Sequence, residues 1–233
     1  GAPPVGADEE TARIVPVVEA LRARFDAPIS VDTSKAAVAA AALDAGADLV
    51  NDVWGLRHDP DLAPLVARRG VPVVVMHNRS DPARATADER VGGHYAPLET
   101  GDDGGIVARV CRELEASVAL ARSAGVAAAR IIVDPGIGFG KSGVQNLELL
   151  DRLDAVRDLG HPVLIGPSRK SFIGLALGLP PGDRLEGTAA SVAVAIVRGA
   201  DIVRVHDVRQ MARVARMTDA IVRRRAEAGG AAS

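Results

Sequence analysis

The chain has 233 residues, of which 48% are hydrophobic and 25% are charged, and its formal net charge is −2. This size allows one domain with a sizeable core, and the near-neutral charge gives no sign of a nucleic-acid or membrane partner. A single cysteine excludes an internal disulfide framework, and the lack of a signal peptide or an 18-residue apolar run predicts a cytoplasmic protein.

Helical and strand-like patterns alternate along the first half of the chain. In order, they predict a helix over 7–25, the strand "PISVDT", a helix over 34–46, the strand "DLVNDV", a helix over 59–70 and the strand "PVVVMH". The last strand is continuously apolar, which is typical of a strand buried on both faces. The polar stretch 78–104 is predicted to be a long loop.

The second half repeats this alternation. It predicts a helix over 106–125, the strand "RIIVDP", the loop "GIGFGKSG", a helix over 144–159, the strand "PVLIGP", the polar "SRKSF", a helix over 186–200, the strand "DIVRVH" and a closing helix from 207. An apolar face is predicted along the closing helix, formed by Val208, Met211, Val214, Ile221 and Val222. Six strands, each followed by a helix, predict one α/β domain with parallel strands.

The six strands all end in polar groups, reading "VDT", "NDV", "MHN", "VDP", "GPSRK" and "RVHD". Because the carboxyl ends of parallel strands meet at one rim, these groups predict a shared pocket. A single acid such as Asp32 or Asp52 could equally be a helix N-cap, and that alternative stays open for each.

The polar groups are of two kinds. Acceptors and amides that could face the N–H-rich edge of a flat heterocycle come from Asp32, Asn51 and Asp134. Cations that suggest an anionic substrate, with phosphate favoured, come from Arg169, Lys170, Arg204 and His206. The glycine-rich "PGIGFGKSG" has neither the phosphate-loop nor the dinucleotide spacing, so a tight loop with positive φ is its main alternative reading.

Taken in order, "ISVDT", "NDVWG", "MH", "VDPGIGFGK", "GPSRKSF" and "RVHD" resemble the bacterial dihydropteroate synthases, from Glu10 to about Arg225. The resemblance implies a TIM (β/α)8 barrel in one pterin-binding domain, 1–233, of which this chain carries only the last six strands. It also implies that 6-hydroxymethyl-7,8-dihydropterin diphosphate condenses with 4-aminobenzoate to give 7,8-dihydropteroate and diphosphate. A homodimer, Mg²⁺ and sensitivity to sulfonamides are further implications.

The family's site carries over residue by residue. The resemblance implies pterin contacts from Asp32, Asn51, Asp134 and Lys170, with Met76 and Gly166 as further substrate-binding residues. It implies diphosphate contacts from Arg204 and His206, with Arg57 as a further helper, and aminobenzoate contacts from Phe139, Ser168 and Lys170. The catalytic set is Asp32, Asp134, Lys170, Arg204 and His206. No metal ligand is expected in this chain, since the family's metal-binding Asn would lie upstream of Gly1 with two further strands.

Two other functions stay open at this stage. The related pterin-binding methyltransferases move a methyl group from methyltetrahydrofolate to a corrinoid, and they share the barrel and the pterin-facing acids. They need no diphosphate pocket, so "SRK" with "RVH" argues against them. The other alternative is a non-catalytic paralogue that binds pterin without converting it.

Overall fold

The protein is described by a computed structural model covering residues 5–81, 84–86, 93–101 and 104–223. The strands are β1 (Ser30–Asp32), β2 (Leu49–Asp52), β3 (Val73–Met76), β4 (Ala85–Thr86), β5 (His94–Tyr95), β6 (Ile131–Asp134), β7 (Leu164–Ile165) and β8 (Ile202–Val203). The helices are α1 (Ala7–Arg22), α2 (Ala36–Asp44), α3 (Leu62–Arg69), α4 (Gly105–Ser123), α5 (Gly143–Asp151), α6 (Leu153–Arg157), α7 (Ser171–Leu177), α8 (Leu185–Val197) and α9 (Val208–Val222).

Six of these strands are parallel neighbours in chain order. A four-stranded sheet has the order β1-β2-β3-β6, β7 pairs with β8, and a parallel bridge between Val133 and Val163 joins the two groups. The six predicted strands and their parallel arrangement are therefore confirmed. In the part of the chain that the structure describes, no backbone pairing closes β8 onto β1.

The core lies between this sheet and the surrounding helices. All four residues of β3 are buried, as the continuous apolar run predicts. Its neighbours Val50 and Val133 are also fully buried, so the middle of the sheet is apolar on both faces. Burial of these branched side chains fixes the strands and hence the position of the polar groups that follow them.

Several predicted elements differ in detail. The predicted helix 144–159 is divided at Arg152 into α5 and α6, and residues after "SRK" form the unpredicted helix α7. The predicted loop 78–104 contains the short antiparallel pair β4–β5. The outer strands β1 and β8 are shorter than predicted. They span three and two residues.

The predicted apolar face of α9 is only partly buried. Met211 is 1% exposed, whereas Val208, Ile221 and Val222 are 64%, 56% and 41% exposed. Met211 belongs to a small cluster with Val192 and Ile196 of α8, so that α9 packs mainly against that helix. Val214 also packs against this cluster, whereas much of the surface of the other three side chains of the face is exposed. No helix in the described ranges is long and apolar enough to cross a membrane.

Candidate active site

The first group of predicted residues surrounds a cavity of about 410 Å³ beside β1, β2 and β8. The Asn51 amide donates to Asp32 Oδ1 at 2.8 Å, and the Arg204 guanidinium donates to Asp32 Oδ2 at 2.6 Å. The buried Asn51 Oδ1 has no hydrogen-bond partner in the described structure. An unsatisfied amide oxygen costs free energy when buried, so this atom is suited to a ligand that donates an N–H.

The second group lies at the end of β6. The register places Met76 opposite Asp134, so both reach the same rim as Asp32 and Asn51. Asp134 is 6% exposed and accepts a 2.7 Å hydrogen bond from the Gly136 amide. Burial raises the pKa of Asp134, although the charge of Lys170 opposes this change. The carboxyl group is thus held in a dry environment beside a cation.

Lys170 occupies the space between Asp134 and the glycine-rich loop. Its ammonium donates to the Ile137 carbonyl and lies 4.5 Å from the ring centre of Phe139. Burial lowers the pKa of Lys170 to about 8, while Asp134 acts in the opposite direction. The Arg204 charge acts on both Lys170 and Asp134, which links this group to the cavity beside β1.

The third group follows β7 and β8. His206 Nδ1 lies 2.9 Å from Ser168 Oγ, and the His206 amide donates to the same oxygen at 3.2 Å. Gly166 is buried, and a Cβ at this position would lie 3.9 Å from the Arg204 side chain and backbone. Arg169 differs from expectation, since it forms a bidentate pair with Asp207 at 3.0 and 2.6 Å. Its charge is matched within the protein.

Two other residues singled out from the sequence, Asp52 and Arg57, have different surroundings. Asp52 accepts hydrogen bonds from the Trp54 and Leu56 amides, so it holds a turn, unlike Asp32. Arg57 does not line the cavity beside Arg204. It lines another cavity of about 460 Å³, whose basic side chains are Arg57, Arg79, Arg84 and Arg109. The long loop after β3 contributes several residues to that cavity.

The glycine-rich segment forms a tight loop with positive φ, as predicted by the alternative to a phosphate-binding loop. Gly136, Gly138 and Gly140 have φ values of 67°, 82° and 71°. A Cβ on Gly136 would lie 1.9 Å from the His77 carbonyl oxygen, and one on Gly140 would lie 2.1 Å from the Arg79 carbonyl. Glycine is required here both for its conformation and for the close approach of two backbones.

Sequence reasoning misses two buried groups behind the rim. Lys141 is 1% exposed and donates to backbone carbonyls, although its motif contains no sign of burial. His77 is 1% exposed, and its Nε2 lies 3.1 Å from Glu113 Oε2. Burial lowers the pKa of His77 to about 4. The only signal for His77 is its position after an apolar strand, and Glu113 lies in an ordinary helical pattern.

Comparison with known proteins gives a consistent result. Residues 1–206 match the family described as pterin binding enzyme. A dihydropteroate synthase of Clostridium beijerinckii is 44% identical over 221 residues, covering 94% of this chain and 75% of that protein. The dihydropteroate synthase of Bacillus subtilis is 45% identical over 222 residues, covering 95% and 71%.

Solved structures agree in fold. A dihydropteroate synthase from Clostridium difficile, determined in the presence of pteroic acid, has a TM-score of 0.85 and 43% identity, covering 96% of this chain and 78% of that one. The Xanthomonas albilineans dihydropteroate synthase, with 4-aminobenzoic acid, has a TM-score of 0.82 and 40% identity, covering 95% and 74%. These matches extend over nearly the whole chain, so they include all the strand ends described above.

Proposed function

This chain belongs to the pterin-binding enzyme family, and we propose from its site and its relatives how its side chains carry out dihydropteroate synthesis. The fold is the family's (β/α)8 barrel, of which the described residues supply six consecutive parallel strands. The enzyme is a transferase. It joins 6-hydroxymethyl-7,8-dihydropterin diphosphate to 4-aminobenzoate and yields 7,8-dihydropteroate and diphosphate.

The pterin ring is proposed to bind along the acids and amide of the rim. The observation that supports this most directly is the partnerless, buried Asn51 Oδ1 beside the Asp32 carboxylate. A pterin carries several ring and exocyclic N–H groups on one edge, and these could donate to Asn51, Asp32 and Asp134. Lys170 would supply a donor to the ring's oxygen or nitrogen acceptors, with Met76 and Gly166 bounding the ring.

The diphosphate is proposed to bind Arg204 and His206. Arg204 is paired with Asp32 in the described structure, but both side chains are substantially exposed, so an incoming anion can compete for the guanidinium. His206 is oriented by Ser168 and lies two residues further along the same chain segment. Charge-assisted hydrogen bonds from these two groups would stabilise the leaving diphosphate as its negative charge increases.

The arylamine is proposed to enter beside Phe139, Ser168 and Lys170. As the carbon–oxygen bond to diphosphate breaks, positive charge develops on the pterin methylene carbon, and the acids Asp32 and Asp134 would stabilise it. The amine nitrogen then forms the new carbon–nitrogen bond and loses one proton. No covalent bond to the enzyme is required in this sequence of steps.

Three further properties are proposed on the resemblance. Mg²⁺ would assist diphosphate binding, but among the described residues no group of three or more His, Cys, Asp or Glu side chains could hold it. A homodimer is supported by the exposed apolar residues of α8 and α9. A cytoplasmic location stays a prediction from the sequence. We also expect inhibition by sulfonamides, since a related Yersinia pestis enzyme has been solved with such a drug.

The function is tested by measuring diphosphate release from the pterin diphosphate with and without 4-aminobenzoate. Release that depends on the arylamine and yields dihydropteroate is the expected result. Transfer of a methyl group from methyltetrahydrofolate to a corrinoid would instead support the alternative enzyme class. Binding of pterin without either reaction would identify a non-catalytic paralogue.

A further inference from the structure

Lys141, which ends the "GIGFGK" motif, is a cation buried within the protein. Its side chain is among the largest that are fully buried, with 1% exposure. The ammonium donates to the carbonyls of Gly136 at 2.8 Å and Phe139 at 3.1 Å, and more weakly to His77 at 3.4 Å. A buried ammonium is tolerated only where such acceptors replace water, so the loop and the lysine require each other.

Two of the carbonyls that Lys141 holds, those of Gly136 and Phe139, belong to the loop that carries the Phe139 ring. Lys170 holds the same loop from the rim, through the Ile137 carbonyl and the Phe139 ring. Two ammonium groups therefore bind different backbone oxygens of residues 136–139: Lys141 binds those of Gly136 and Phe139, and Lys170 binds that of Ile137. Lys170 faces the proposed substrates, whereas Lys141 lies behind the loop and faces the end of β3.

The charged groups around Lys141 come from three elements. Asp134, at the end of β6, and Glu113, on α4, favour its charged form, and Lys170 opposes it. Burial has the largest effect and lowers the pKa of Lys141 to about 7. None of these groups forms a direct ion pair with it in the described residues. Its specific contacts are thus with the backbone, which makes loop geometry the property it controls.

We infer that Lys141 is a positioning residue for the arylamine side of the site, because it fixes the backbone that presents Phe139 to 4-aminobenzoate. This inference rests on the proposed function. Lys141 touches neither substrate in the proposed arrangement, so its loss should act through the placement of Phe139. Pterin binding should change less, because Asn51 and Asp32 lie on other strands.

The test compares Lys141→Met, Lys141→Gln and the matched control Lys35→Met in the full-length protein. Methionine keeps the length of the side chain but removes every donor, whereas glutamine keeps an N–H donor. Lys35 pairs with Glu10 of α1, so its replacement removes a lysine without removing a donor to residues 136–139. Lys141→Met is expected to fold, because Asn146 Oδ1 still binds the Gly138 amide at 2.7 Å.

For Lys141→Met we expect the KM for 4-aminobenzoate to rise about tenfold or more, and the KM for the pterin diphosphate to rise less than threefold. Lys141→Gln should recover part of this loss, and Lys35→Met should match the wild type. Hydrogen exchange of residues 136–140 should increase in Lys141→Met and not in Lys35→Met, which tests the loop independently of activity.

Equal rises of both KM values, or a lower melting temperature with unchanged KM and loop exchange, would overturn the inference. If Lys141→Met fails to fold, Lys141→Gln with wild-type KM values and loop exchange would overturn it as well. A wild-type protein that shows no arylamine-dependent diphosphate release would contradict the proposed function instead, and the exchange measurement would still report on the loop.

Discussion

At the scale of single residues, the contact between Asp32 and Arg204 decides how the site can respond to a substrate. The side chains are 44% and 61% exposed, and an ion pair in this situation contributes about 0–1 kcal/mol to stability. A diphosphate offers Arg204 more negative charge than one carboxylate. The pair with Asp32 therefore orients the guanidinium, and breaking this pair takes little free energy from the binding of a ligand.

The first prediction concerns this arginine. Arg204→Ala should weaken binding of the pterin diphosphate by about 2 to 3 kcal/mol, roughly 30- to 150-fold, because a charge-assisted contact is lost. A pterin that lacks the diphosphate should lose much less affinity. Calorimetric titration of both ligands measures the difference, with Arg198→Ala on the outer helices as control. Equal losses for the two ligands would show that Arg204 only supports the fold.

The second prediction concerns acid stability. Burial lowers the pKa of His77 from 6.5 to about 4, so the unfolded state binds a proton first as the pH falls. Stability should therefore decrease as the pH falls from 6.5 towards 4, by about 3 kcal/mol in total from this group. Urea unfolding at pH 7, 6 and 5 should show a shallower decline for His77→Gln. The exposed control His58→Gln should keep the wild-type slope, and a steep decline in both variants would contradict the assignment.

At the scale of elements, prediction from sequence succeeds where a continuous apolar run indicates a strand that is buried on both faces. β3 and β6 are of this kind, and their polar ends indicate the rim correctly because parallel strands share one direction. The division at Arg152, helix α7 and the β4–β5 pair depend on tertiary packing that local patterns do not contain. Burial of Lys141 is hidden for the same reason, because its acceptors are backbone carbonyls that any sequence could supply.

The third prediction separates the two roles of glycine in the site loop. Gly140 and Gly160 both have positive φ, but only at Gly140 would a Cβ overlap another backbone, that of Arg79. Gly160→Ala should cost about 1 kcal/mol for conformation alone. Gly140→Ala should cost about 3 kcal/mol or more, or detach the loop and impair 4-aminobenzoate binding. Chemical denaturation of both variants checks this, and equal costs would mean that the close approach is unimportant.

At the scale of the whole molecule, α8 and α9 together carry six exposed apolar side chains. The exposed side chains there are Val194, Val197, Val208, Met217, Ile221 and Val222. A group of exposed apolar side chains on two packed helices is typical of an interface. The face predicted for α9 from its periodicity is therefore divided: Met211 and Val214 pack against other residues of this chain, while Val208, Ile221 and Val222 remain exposed.

The fourth prediction follows from that surface. The double variant Val197→Glu with Ile221→Glu should convert a homodimer into a monomer, because charges would be buried without partners at the interface. Sedimentation velocity at micromolar concentration measures the change. Val144→Glu, on the exposed side of α5, is the control and should remain dimeric. A monomeric wild-type protein would contradict the proposed assembly.

The Asp32–Arg204 contact also affects when the site forms during folding. The two residues are 172 positions apart: Asp32 ends β1, and Arg204 directly follows β8. Contacts of such long sequence separation form late, since closing the intervening chain carries an entropy cost that other contacts must first offset. During synthesis, Asp32 leaves the ribosome long before Arg204 has been added. A nascent chain that stops short of β8 can therefore bury much of its core while it still lacks the cation needed to hold diphosphate.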